Sequence, residues 1–93
     1  MNTKYEKEFI DTLMRVAQDK KTLHNFLVGI LTPAEHKEIV TRWQIVKRLV
    51  EGDTQRTIAK DLEVGIATVT RGSRELTNPV GNLTYIIKKN SKK

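Results

Sequence analysis

From Gly65 to Leu76 the chain reads GIATVTRGSREL, and just upstream, from Thr54 to Leu62, it reads TQRTIAKDL. Two helix-length runs parted by Glu63-Val64-Gly65 describe a helix-turn-helix in one dimension. In that arrangement the second helix enters the DNA major groove and its first turn touches base edges. Ile66, Ala67, Thr68 and Thr70 suit such a turn, because short side chains let the backbone come close and their methyl groups can meet a thymine methyl. Gly72 is the discordant residue. A glycine inside a helix costs about 1 kcal/mol relative to alanine, so either the helix frays there or something must approach its backbone. Arg71, Ser73 and Arg74 around it point to a ligand pocket behind the second helix.

Working outward, Thr32-Pro33-Ala34-Glu35 announces the preceding helix. The Thr32 hydroxyl can cap it, Pro33 suits the first helical position, and Glu35 can complete a capping box. This helix is expected to run to about Glu51, with Gly52 as its terminator. Ile39, Trp43, Val46 and Val50 form a stripe on it, widened by Ile45 and Leu49, and Arg42 lies beside that stripe. Thr54 can cap the first helix of the motif, although Thr57 replaces the Glu or Gln of a full capping box. Toward the N-terminus, Tyr5, Phe9, Leu13 and Ala17 recur at helical spacing, flanked by Ile10 and Met14. A second helix follows Asp19-Lys20-Lys21 and carries Leu23, Phe26, Leu27 and Ile30. After Leu76, Thr77-Asn78-Pro79 reads as another helix start, followed by Val80, Leu83, Ile86 and Ile87.

The expected fold is therefore all-α, with six helices and no strands in a single domain. Its parts are residues 1–31, two helices whose broad apolar faces need cover; 32–52, the core helix; 53–76, the helix-turn-helix; and 77–93, a last helix with a basic tail. A second copy of the chain is the obvious cover, and a two-fold dimer would set two motifs about 34 Å apart, one turn of DNA.

With 93 residues and 5% aromatics, the chain can build only a small, aliphatic core. It has no cysteine, which removes disulfides, thiolate metal sites and cysteine nucleophiles and agrees with a cytoplasmic setting. No apolar run is long enough for a membrane span, and the polar N-terminus is not a secretion signal. The net charge of +6 suggests a polyanionic partner. Its distribution weakens that inference, because Lys88, Lys89, Lys92 and Lys93 form a tail. Between Asp53 and Leu76, moreover, Asp53, Asp61, Glu63 and Glu75 balance Arg56, Lys60, Arg71 and Arg74. Motif and spacing carry the case for DNA.

The segments LTPAE from Leu31, TRWQIV from Thr41 and GIATVTRGS from Gly65 together resemble the tryptophan repressor family, over Leu31–Leu76. The resemblance implies an intertwined homodimer and a transcriptional repressor that binds palindromic operator DNA when L-tryptophan is bound as corepressor. The ligand's indole would lie between Arg42 and Arg71, since guanidinium planes stack on aromatic faces. Arg71 would also pair with the ligand carboxylate, assisted by Thr32 of the other subunit. Carbonyls around Gly29 and Leu31 would face the ammonium. Ile45 would line the slot, and Gly72 would leave it room. Arg56 would reach a guanine edge, Gln55 and Ser73 would touch phosphates, and Ile66, Ala67, Thr68 and Thr70 would face the groove floor.

The chain departs from the family pattern in several places. Glu75 and Arg74 stand where serine and asparagine are usual, Gly29 replaces an apolar side chain, and Ala59 replaces a lysine. The connection from Gly52 to Gln55 is one residue short. Glu75 could hold the ligand ammonium or repel its carboxylate, so a tryptophan-independent regulator, or one answering another aromatic acid, stands as the alternative. Arg74, which is a basic residue on the DNA side of the motif, bears with Ala59 on the operator sequence. A helical interaction protein that has lost DNA reading is a second alternative. An enzyme is not expected, because His24 and His36 lack metal-ligand spacing and Ser73 has no histidine to activate it.

Overall fold

The computed structural model describes residues 2–77 and 81–90. Six helices and no strand occur among the described residues: α1 (Thr3–Val16), α2 (Lys20–Ile30), α3 (Pro33–Val50), α4 (Gln55–Leu62), α5 (Ile66–Glu75) and α6 (Leu83–Asn90). The all-α expectation is met. The chain divides into two compact units, Met1–Lys37 and Glu38–Lys93.

In the first unit, side-chain caps set the helix starts. Asn2 accepts the Lys4 N–H at 2.8 Å. Asp19 accepts both the Thr22 N–H at 2.9 Å and the Thr22 hydroxyl at 2.6 Å. These two bonds, the hydroxyl's first, hold the Asp19 carboxyl below its ordinary pKa. The capping box at the start of α3 forms as expected. The Thr32 N–H donates to Glu35 Oε1 at 2.8 Å, and the Glu35 N–H donates to Thr32 Oγ1 at 3.1 Å. The bond from the Thr32 N–H lowers the Glu35 pKa most, followed by the Thr32 hydroxyl. The rings of Phe9 and Phe26 meet at 6.2 Å between centroids, joining α1 to α2. Neither helix buries a residue fully. Tyr5 is 65% exposed and Met14 64%.

The second unit has a true interior. Ile45 from α3, Ile58 and Ala59 from α4, and Val69 from α5 form one buried cluster, with Leu49, Leu62 and Val64 packed against it. The buried side of α3 is thus Ile45, Val46 and Leu49, while Ile39 and Trp43 on the expected stripe remain exposed. Gly52 ends α3 region as foreseen, with a left-handed φ of 101° that a side chain would resist.

At the other end the expectation needs correction. The Thr77 hydroxyl donates back to the Arg74 carbonyl at 2.7 Å, so it closes the end of α5. The last helix begins at Leu83, where its Ile87 is buried. Asn78, Pro79 and Val80 of the expected helix start, and Lys92 and Lys93 of the tail, lie outside the described residues.

Candidate functional site

The helix-turn-helix is built by local chemistry at each joint. Thr54 opens α4 by accepting the Thr57 N–H at 3.1 Å, and its hydroxyl donates to that of Thr57 at 2.9 Å. Glu63 ends α4 in the left-handed region, at φ 56°. Two backbone bonds, Val64 N–H to Ala59 carbonyl at 3.0 Å and Glu63 N–H to Lys60 carbonyl at 3.3 Å, close a Schellman turn. Gly65 is extended at φ −71° and supplies no capping side chain to α5. No capping side chain therefore serves the N–H groups of Ile66 and Ala67, while the Thr68 N–H donates to the Gly65 carbonyl at 3.1 Å. Ile58 against Val69 sets how α4 and α5 pack. The Thr70 hydroxyl pins the pair further, donating at 2.8 Å to Gln55 Oε1 and lying 3.0 Å from the Ile66 carbonyl.

The residues expected to meet DNA fall into two groups. Arg56, Ile66, Ala67, Thr68 and Arg74 are exposed. Ile66, an apolar residue on the first turn of α5, is 53% exposed. Gln55, Thr70 and Ser73 are half-buried. Thr70 spends its hydroxyl within the motif, whereas Gln55 offers only its oxygen to Thr70, which leaves the donors of its side-chain amide for other partners.

The sequence balance of acids and bases misleads here. Asp53 and Asp61 are both paired with Arg48, each at 2.7 Å. Arg48 lies outside the stretch over which the charges balanced. Arg56, Lys60, Arg71 and Arg74 then face only Glu63 and Glu75 as acids without an ion pair among the described residues. With Arg48 counted, five bases stand against four acids, so the motif and the residue that pins it carry one net positive charge rather than none.

On the other side of α5, Gly72 is buried and the helix passes through it without fraying, to Glu75. A Cβ built on Gly72 would lie 2.6 Å from Ile45 Cγ2. The glycine therefore lets α5 approach α3 closely, and Ile45 occupies the space its side chain would need. Arg71 and Glu75 are exposed, without an ion pair among the described residues. Arg42 is exposed and pairs with Glu38 one turn back, at 3.1 Å. Exposed helix pairs of this kind stabilise by only about 0.3–0.5 kcal/mol, so Arg42 can leave Glu38 at little cost.

In the first unit, Thr32 is exposed with its hydroxyl oriented by the capping box. Leu31 is half-buried and Gly29 exposed, with open space where a Cβ would be. The Gly29 carbonyl has no helical donor, because the residue four places on is Pro33, which lacks an N–H.

The sequence reasoning missed Arg48. Its Nε donates to Asp53 Oδ2 and its Nη2 to Asp61 Oδ2, so one guanidinium spans the end of α3, the connection and α4. Both bonds, Asp61's first, push the Arg48 pKa further above its usual value. The separations of five and thirteen residues follow no helical period, and only a basic residue four places before Gly52, with an acid directly after the glycine, hinted at the bridge.

The Trp repressor protein family matches residues 6–91. The chain belongs to that family. It is 40% identical over 72 residues to a Trp operon repressor homolog of Vibrio vulnificus, covering 75% of this chain and 69% of the relative. A Trp operon repressor homolog of Vibrio cholerae shares 40% over 72 residues, covering 75% and 68%. One of Chlamydia trachomatis shares 39% over 66 residues, covering 70% of each chain. Membership in this repressor family accounts for the all-helical, helix-turn-helix architecture and assigns the chain to regulators rather than enzymes. No described helix is long and apolar enough to cross a membrane.

Proposed function

We propose that the chain is a cytoplasmic, DNA-binding transcriptional repressor, seated as a homodimer on palindromic operator DNA when L-tryptophan is bound. The observation that carries the DNA reading is the uncovered first turn of α5, where Ile66, Ala67 and Thr68 stand exposed on a helix anchored from behind by Val69. Arg56 would pair with a guanine, a contact worth about 1–3 kcal/mol of discrimination. Gln55 and Ser73 would hold phosphates and Arg74 would add charge. Residues 1–31 would serve dimerisation, 32–52 the core, 53–76 the DNA, and 77–93 the C-terminal helix and tail.

L-tryptophan would lie with its indole between Arg42 and Arg71, near Ile45 and Gly72. Its carboxylate would meet Arg71 and the Thr32 hydroxyl of a second copy, and its ammonium the carbonyls around Gly29 and Leu31. Support comes from the chemistry of each group: an Arg71 without an ion pair among the described residues, an Arg42 only weakly held by Glu38, and a Gly29 carbonyl without a helical donor. Ligand binding would select the orientation of the motif that fits DNA, and by linkage operator DNA would tighten tryptophan binding equally.

Glu75, exposed one helical turn beyond Arg71, favours a second reading in which another aromatic acid is the effector. Calorimetric titration separates the two. The proposal expects saturable binding of L-tryptophan, weakened at least tenfold in Arg71→Ala. Binding of L-tyrosine or L-phenylalanine but not L-tryptophan would favour the second reading, and no heat with any of them would reject both.

A further inference from the structure

We infer that Arg48 is a positioning residue for DNA recognition, a clamp that holds the helix-turn-helix against the end of α3 before any effector binds. The inference rests on the repressor reading above.

The connection from α3 to α4 turns at Gly52, where φ is 101°, and continues through Asp53 and Thr54. A glycine in a short connection is the natural place for the motif to swing. Arg48 bridges that point on both sides. It holds Asp53, which directly follows the glycine, and Asp61 in the last turn of α4, each at 2.7 Å. The Asp53 N–H also donates to the Arg48 carbonyl at 3.0 Å, so the connection is fixed by backbone and side chain together. The Arg48 side chain is only 20% exposed, less screened than the Arg42–Glu38 pair. A guanidinium can bind two carboxylates through separate edges, which the point charge of a lysine does less well. The clamp ties α3 to α4, whereas the close approach of Gly72 to Ile45 brings α5 against α3.

Two consequences follow. Part of the orientation that an effector would impose is already built into the chain, so affinity for DNA without effector is higher than it would be without Arg48. A saturating effector makes the clamp partly redundant, so loss of Arg48 widens the effector response.

The test uses wild type, Arg48→Gln and Arg48→Lys with a palindromic duplex selected from a random pool by the wild-type protein in L-tryptophan. Duplex affinity is measured with and without L-tryptophan, beside amide hydrogen exchange without DNA. The expected result for Arg48→Gln is exchange in α4 and α5 at least fivefold faster relative to α3. Its affinity falls at least fivefold without tryptophan and less than twofold at saturation, and Arg48→Lys falls between. Equal losses in both conditions, or unchanged exchange in α4 and α5, would overturn the clamp. A wild type indifferent to tryptophan would instead overturn the effector reading. Exchange and tryptophan-free affinity would then still decide the clamp: fivefold changes in both uphold it, and no change in either overturns it.

Discussion

α1 and α2 carry apolar residues at the same helical spacing as α3, α4 and α5, yet the outcomes are opposite. The first pair buries no residue fully, while Ile58 and Val69 in the second unit are 0% exposed. Periodicity determines which face of a helix is apolar; it does not determine what covers it. The α4–α5 pair is short and can close on Ile45. The α1–α2 pair leaves Tyr5, Ile10, Met14, Val28 and Ile30 exposed. Large exposed apolar faces on small soluble chains mark interaction surfaces, and a second copy is the proposed cover.

The sharpest way to break this comparison is to cut into each region. Ile58→Ala is expected to cost about 2–5 kcal/mol, read as a loss of unfolding free energy at any protein concentration. Met14→Ser is expected to act differently, lowering the melting temperature only where the dimer persists and releasing monomer in sedimentation. A wild-type melting temperature independent of concentration would remove the dimer from the account.

Gly72→Ala probes the close approach of α5 to α3. Overpacking costs about 1–3 kcal/mol and the better helix former returns about 1 kcal/mol, so a net loss of up to about 2 kcal/mol is expected by chemical denaturation. Ile45→Leu, which lacks the β-branch methyl, should recover at least half of it in the double variant. Absence of coupling would mean that α5 does not rest on Ile45.

Glu63→Gly should raise stability by about 1 kcal/mol, because a left-handed residue with a Cβ is strained. The effect is measurable by thermal melting and is confined to the second unit.

The smallest effect belongs to the first unit and to pH. Asp19 and Glu35 have depressed pKa values in the folded chain, so their caps stabilise it above the ordinary carboxylate pKa of about 4. That contribution is lost as pH falls through the lower folded values. Helicity of α2 and the start of α3 should decline as the pH is taken below about 4, and Glu35→Gln should flatten the decline.

Much of this was legible in the residues themselves. Thr32 with Glu35, Asp19, Thr54 and Gly52 mark helix ends by short-range chemistry, and the observed bonds follow. The helix-turn-helix was readable from GIATVTRGS and its upstream run. What sequence could not supply was long-range. Nothing in the spacing told that Ile45 and Val46 rather than Ile39 and Trp43 would be buried, since several faces of α3 are apolar. Gly72 was singled out, but contact with Ile45 depends on how α5 lies over α3. Arg48 escaped notice because its partners lie in a connection and a neighbouring helix, beyond any local period.

The central claim is that an aromatic amino acid behind α5 governs whether α5 can seat in DNA. Its most direct test is the affinity of wild type and Arg71→Ala for the selected palindromic duplex, each with and without L-tryptophan. The account predicts at least a tenfold gain with tryptophan for the wild type, about 1.4 kcal/mol, and none for Arg71→Ala. Equal affinity in all four conditions would contradict it.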